Sequence, residues 1–161
     1  MAKANLKVVE TDPLANYEPL LLSTVEILDG YWPQCAELLQ PVVDEAMNGE
    51  MTVADMYQGI REGRMYGLVA KDDTGEAPEV ALVLVLEPVQ YPQKMLLNIT
   101  AIGGQQLNLL QSKFWTHVCS WAYMNGVREM QAMVSPAMAR IIGKFGFESV
   151  YTVMRMPLTE M

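Results

Sequence analysis

Apolar and polar positions along the chain change their period part-way. Leu6, Val8 and Val9 make Asn5–Glu10 a short strand, stopped by Asp12-Pro13. The run from Pro19 to Leu28 is apolar without a readable period, so it fits either a strand or a buried helix, and Asp29-Gly30 ends it. From Pro33 onward Cys35, Leu38, Leu39, Val42, Val43, Ala46 and Met47 recur at helical spacing. Pro41 lies inside that stretch, and an interior proline costs a helix about 3 kcal/mol, which predicts a kink or two short helices. Thr52-Val53-Ala54-Asp55 has the form of a capping box, with Asp in place of Glu or Gln, and opens a helix that runs to Gly63.

Beyond Gly63 the period becomes two. Met65–Lys71 and Val80–Leu86 read as strands of a hairpin joined through Asp72-Asp73-Thr74-Gly75, and Pro88 and Pro92 bracket a loop. Met95–Ile102 is the next strand, ended by Gly103-Gly104. Leu107, Leu110, Phe114, Val118, Trp121 and Ala122 then form one apolar stripe on a long helix, stopped by Asn125-Gly126. Glu129–Val134 predicts a strand, Pro136–Lys144 a short helix and Ser149–Met156 a closing strand. The sum is an α/β domain with a mixed central sheet of about six to seven strands and helices on both faces. A single domain, residues 1–161, is expected, with a strand and helices in 1–64 and the core sheet with two helices in 65–161.

Composition agrees with a globular chain: 51% of the 161 residues are hydrophobic and 19% are charged. No uncharged apolar run approaches the ~20 residues a membrane span needs. Met1–Asn5 has no apolar stretch behind Lys3, so no export signal is expected and the reading is cytoplasmic. Net charge is −8, unevenly spread: 16 acidic and 5 basic residues lie up to Glu87, against 3 acidic and 6 basic beyond it. That balance lacks the basic footprint of a nucleic-acid binder. The acidic half is either a solvated face or a surface on which a basic protein partner docks. The 13 methionines are adaptable core filler or a surface able to re-pack against partners.

Two cysteines far apart, Cys35 and Cys119, are read as reduced thiols. His117 is the single histidine, and with no cysteine pair beside it no zinc site can be assembled and no metal is expected. It falls within a helix as a surface or packed imidazole, which removes serine- or cysteine-histidine hydrolase chemistry.

The order of elements, together with the block Val134–Val150, resembles the GCN5-related N-acetyltransferase (GNAT) fold over about Thr52–Leu158. Members often carry Asn-x-x-Ala-x-x-x-Tyr-x-Lys-x-Gly-Phe on the helix between the last strands, and Lys144, Gly146 and Phe147 fall in register with it. The helix ending Trp121–Val127 is similar to the family's central helix. The resemblance implies acetyl-CoA as cofactor, held by a loop of the form Gln/Arg-x-x-Gly-x-Gly/Ala whose glycines let main-chain N–H groups approach the pyrophosphate. In one register Gln106 takes the polar position but Leu109 and Gln111 replace the small residues. In a shifted register Ile102, Gly103, Gly104, Gln105 and Gln106 form the cofactor-binding turn, for which a plain strand-to-helix turn is the alternative.

The family's usual tyrosine acid falls on Ile142, its asparagine on Ser135, and Met138 replaces the small alanine. Tyr123 and Tyr151 are the substitutes as acid, and Glu87 at a strand end is the candidate base for the acceptor amine. Each also reads as an ordinary core tyrosine or solvated carboxylate. Two functions follow: a GNAT-fold protein that has lost catalysis and serves in binding or assembly, or an acetyl-CoA-dependent N-acetyltransferase on a small amine or protein amino group. The first is similar to the divergent GNAT-like proteins that tailed phages encode near their morphogenesis genes, which would make it virion-associated. An open wedge between Met95–Ile102 and Glu129–Val134, with the Gly103 and Gly104 amides converging, would favour the enzyme. A wedge filled by Leu109, Met133 or Ile142 would favour the binder.

Overall fold

The computed structural model describes residues 14–104 and 106–160. Five strands form one sheet in the order β1 (Glu18–Leu21), β2 (Tyr66–Asp72), β3 (Glu79–Gln90), β4 (Met95–Gly104) and β5 (Met130–Ala132). The first four are antiparallel neighbours, and β5 runs parallel to β4. Four α-helices accompany them: α1 (Val25–Ala46), α2 (Val53–Arg61), α3 (Lys113–Met124) and α4 (Pro136–Ile142). The α/β class and mixed sheet are as expected. The count of six to seven strands is not reached among the described residues.

β3 shows why the sheet is covered on both faces. Leu82, Leu84 and Leu86 point into a core with Leu68, Phe114, Val118 and Ala122, so α3 covers that side. Val83 and Val85 point the other way, into a core with Leu28, Cys35, Leu39, Met56 and Ile60, beneath α1 and α2. An apolar run without alternation suits a strand buried on both faces. Two bulges interrupt the ladder. Ala81 is the extra residue where Ala70 pairs with Leu82 and Lys71 with Val80. Thr100 is the extra residue where Val85 pairs with Ala101 and Leu86 with Ile99.

Several expected boundaries move. The Pro19–Leu28 run divides into β1 and the start of α1, which is opened by Thr24 accepting from the Ile27 N–H at 3.2 Å. Asp29-Gly30 therefore lies inside a helix, and Pro33 and Pro41 lie within one helix of 22 residues. Both prolines are exposed and eight residues apart, hence on the solvent side, where the carbonyls they leave unbonded can be hydrated. Burial of Leu28, Cys35 and Leu39 on the opposite side holds the helix together. Pro88 is in β3 rather than a loop. It pairs with Leu97 of β4 but lies beyond the end of β2, so its missing N–H removes no ladder bond on that side.

The capping box of α2 is present in both directions, Thr52 N–H to Asp55 Oδ2 at 2.9 Å and Asp55 N–H to Thr52 Oγ1 at 3.1 Å. The long helix from Leu107 is instead a 3₁₀ turn, Gln106–Gln111, followed by α3. Ser112 separates them: buried, it accepts from Trp115 N–H at 3.2 Å and donates to the Leu109 carbonyl at 2.6 Å. β5 is shorter than Glu129–Val134, and the short helix ends in a 3₁₀ turn, Gly143–Phe145. Ser149–Met156 pairs with no strand among the described residues, and Val150, Tyr151, Val153, Met154 and Met156 are exposed. Asn5–Glu10 lies outside the described residues.

Among the described residues no helix is long and apolar enough to cross a membrane.

Candidate functional site

A sheet face lined by apolar side chains becomes polar at one row. Glu87 of β3 stands opposite Asn98 of β4, and Asn98 stands opposite Gln131 of β5. Strand alternation puts all three on the face that carries Val83 and Val85, beneath α1 and α2. Gln131 Nε2 donates to Asn98 Oδ1 at 3.2 Å, and Asn98 Nδ2 reaches Thr100 Oγ1 at 3.4 Å. All four residues are half-buried. A carboxylate and two amides held side by side can orient an amine or amide by hydrogen bonds, and a carboxylate so placed can take a proton from it.

Of this row only Glu87 was visible in the sequence. The others depend on the register of three strands, which the Thr100 bulge sets, and no spacing within the chain announces it.

The row lies where the β4–β5 pairing ends. The two strands are in register only over Leu97–Ile99 and Met130–Ala132, whereas β4 continues to Gly104. The last five residues of β4 thus have no β5 partner. Met133 does not fill this divergence, being 67% exposed. Leu109 is buried in the core beneath α3 and Ile142 is half-buried.

The candidate acids stand apart from Glu87. Tyr123 belongs to α3, on the opposite face of the sheet, and is exposed. Arg128 covers its ring, Cζ 3.9 Å from the centroid, and donates to the Tyr123 carbonyl at 3.0 Å. The pair borders a hollow of about 210 Å³ that Cys119, Glu129 and Met130 also line. Burial pushes the Cys119 thiol up from its ordinary pKa. Tyr151, on the exposed C-terminal segment, bonds the Tyr91 hydroxyl in the β3–β4 turn, and that bond raises the Tyr91 pKa. Lys94 in the same turn is ion-paired to Glu129 at 2.7 Å, which holds its ammonium charged to higher pH.

The end of β4 is packed by the chain itself. A Cβ on Gly103 would stand 2.6 Å from the Leu38 carbonyl oxygen of α1. Gly104 has φ +96°, and a Cβ there would stand 2.2 Å from the carbonyl oxygen of the bulged Ala81. Ile102 pairs with Leu84 and packs toward α3. Gln106 begins the 3₁₀ turn, and Gln105 lies outside the described residues.

No protein-family model matches the sequence, and no curated protein matches it. Solved structures do match over nearly the whole chain. A probable acetyltransferase superposes with a TM-score of 0.64 at 12% identity, over 89% of this chain and 99% of that one. The chain has the GNAT fold. An aminoglycoside acetyltransferase from an uncultured soil metagenomic sample, solved in complex with sisomicin, gives 0.63 at 14% identity, covering 91% and 97% of the two chains. An aminoglycoside N-acetyltransferase in complex with CoA gives 0.61 at 13%, covering 88% and 99%.

The GNAT fold implies coenzyme A, and the residues at the corresponding connection can be tested for fit. A pyrophosphate cradle needs glycines whose missing side chains leave room for the ligand. Here the space beside Gly103 is taken by α1 and that beside Gly104 by β3, and no further glycine occurs before Gly126. Leu109 and Ser112 are turned into the protein. The connection does not fit a glycine-lined cradle. Among the described residues no group of His, Cys, Asp and Glu could hold a metal ion.

Proposed function

We propose that this protein uses the GNAT fold to bind a protein partner and has lost acetyl transfer. The observation that carries this reading is the packing of Gly103 against Leu38 and of Gly104 against Ala81, which leaves the coenzyme A loop without free glycines. The separation of Tyr123, Tyr151 and Glu87 onto α3, the C-terminal segment and β3 supports it. The partner is a basic protein surface, and α1 is where it docks. That helix carries Glu26, Asp29, Glu37, Asp44 and Glu45, all exposed, and not one Lys or Arg. Such a stripe attracts positive charge through solvent over about a Debye length, ~8 Å at physiological salt.

One observation favours an acetyltransferase as the second reading: the polar row Glu87–Asn98–Gln131 lies beside the point where β4 and β5 part. In that reading acetyl-CoA enters there, Glu87 takes the acceptor's proton, and Tyr123 or Tyr151 protonates the leaving thiolate.

Calorimetric titration of the full chain with acetyl-CoA and with CoA separates the two. We expect no heat at about 100 µM protein, a concentration at which micromolar affinity would be plain. Saturable micromolar binding would overturn the binding-only reading and turn attention to amine acceptors.

A further inference from the structure

Asparagine followed by glycine occurs twice in the chain, at Asn48-Gly49 and Asn125-Gly126, while every other asparagine precedes leucine, isoleucine or tyrosine. The dipeptide matters chemically because a glycine amide nitrogen, with no Cβ in the way, can reach the side-chain carbonyl of the asparagine before it. Both pairs are exposed and both close a helix, Asn48-Gly49 just beyond α1 and Asn125-Gly126 at the end of α3. The fold holds them differently.

Asn125 is clamped. Its N–H is shared between the Trp121 and Ala122 carbonyls at 3.2 and 3.1 Å, and its Nδ2 donates to the Trp121 carbonyl at 2.7 Å. The Gly126 N–H donates to the Tyr123 carbonyl at 3.1 Å, and that of the buried Val127 to the Ala122 carbonyl at 3.0 Å. Arg128 Nη1 closes over the turn by donating to the Tyr123 and Val127 carbonyls. Asn48 and Gly49 are instead the central residues of a turn of type I′ pattern, with φ +55° and +72°. One hydrogen bond closes it, Glu50 N–H to the Met47 carbonyl at 2.9 Å. Among the described residues neither the Asn48 side chain nor the Gly49 N–H has a hydrogen-bond partner. Nothing stands within 4 Å of the place a Cβ on Gly49 would take. Asn48 is also the one non-glycine residue with positive φ among those described, a conformation few such residues adopt.

We propose that Asn48 is a site of spontaneous deamidation, through which the folded chain acquires a carboxylate just beyond α1. The Gly49 main-chain nitrogen bonds to Asn48 Cγ. The side-chain amide nitrogen leaves as ammonia, taking with it the proton that the Gly49 nitrogen gives up. Water then opens the five-membered imide and returns a proton to that nitrogen. Cleavage at Cγ leaves aspartate, and cleavage at the main-chain carbonyl leaves isoaspartate. Water is the only co-reactant. Ring closure requires Asn48 to leave the left-handed turn, so the rate follows the population of the locally opened chain. At Asn48 that opening breaks one hydrogen bond and relieves an unfavourable φ. At Asn125 it must break the whole clamp. The product makes the net charge one unit more negative than −8. The new charge follows Asp44 and Glu45 at a helix end that holds no basic residue, where the main-chain dipole favours cations.

The test is to age the full chain in mildly alkaline buffer and follow it by isoelectric focusing and peptide mass mapping. Isoaspartate is read separately, by labelling with an isoaspartyl methyltransferase. We expect the first acidic form to carry its change at residue 48, and conversion there to outpace that at Asn125 by roughly tenfold or more. In guanidinium chloride, where neither turn is held, the two sites should convert at similar rates. Asn48→Gly keeps a residue suited to the left-handed main chain and should abolish the first acidic form, with the circular dichroism spectrum retained. Conversion at Asn125 as fast as at Asn48 in the folded chain overturns the proposal. So does an acidic form that arises unchanged in Asn48→Gly, or an intact Asn48 after a time in which the denatured chain has fully converted.

Discussion

The carbonyl oxygen of Leu38 stands 2.6 Å from the position a Cβ on residue 103 would take, so α1 lies directly on the main chain of β4. A methyl group at 103 must push helix and strand apart, and overpacking of this kind costs about 1–3 kcal/mol. Gly104→Ala meets the Ala81 carbonyl and also forces a non-glycine residue to φ +96°, which adds roughly another 1–3 kcal/mol. Both variants are expected to be destabilised in urea denaturation, Gly104→Ala the more. Wild-type stability in both would mean that α1 does not approach β4 this closely.

Gln34 joins α1 to the start of β3. Its Nε2 donates to the Pro78 carbonyl and its Oε1 accepts from the Val80 N–H, each at 2.9 Å. Val80 is buried, so Gln34→Ala leaves that N–H unpaired, at a cost of about 1–3 kcal/mol. Gln34→Met, similar in size but unable to bond, is expected to lose about as much. Hydrogen exchange at the Val80 amide should accelerate in both. An unchanged rate would show that the clamp does not form.

What could be read in advance was local. The capping box of α2 spans four residues, and the hairpin of β2 and β3 follows from alternation and one turn, so both were legible. The start of α1 was not: Asp29-Gly30 reads as a break, and only the burial of Leu28 and Cys35 against strands formed far along the chain overrides it. The two glycines were legible as special but not for what purpose. The contact of Gly103 is with a residue 65 positions earlier, and that of Gly104 depends on a bulge in β3. The polar row was legible at one residue in three, because a one-residue slip of β4 would place Asn98 on the other face. Ser149–Met156 has a strand's pattern, but a strand also needs a neighbour, and no pattern in the chain names one.

The α2 cap gives an acid-sensitive contact. Main-chain and side-chain hydrogen bonds from Thr52 hold the Asp55 carboxyl below its ordinary pKa of 3.8. Because the folded-state pKa is the lower one, this contribution is complete above about pH 4 and is lost as the pH falls through the folded value. Thr52→Ala removes the reciprocal bond and should cost about 1 kcal/mol at neutral pH. The difference between wild type and Asp55→Ala is expected to shrink as the pH falls below 3.8. A difference that stays constant from pH 7 to pH 2 would rule out a charged cap.

The two thiols differ in depth, and chemistry can read the difference. Cys35 is wholly buried beneath α1, and burial pushes its pKa from 9.0 to about 12. Cys119 is half-buried at the edge of the hollow beside Arg128, its pKa raised by burial as well. The thiolate is the reactive form, so at pH 8 the folded protein should release at most one equivalent from a disulfide reagent, slowly and at Cys119. Two equivalents should appear at once in denaturant. The same shift has a consequence for stability. An acid whose folded pKa is raised stabilises the fold below its unfolded value, and that advantage is lost as the pH climbs from 9.0 toward 12. Stability should therefore decline over that range, and Cys35→Ala should flatten the decline while lowering stability at pH 7 by about 1–2 kcal/mol through the cavity it leaves. Rapid reaction of both thiols in the native protein would place Cys35 outside the core and contradict the packing of α1 on the sheet.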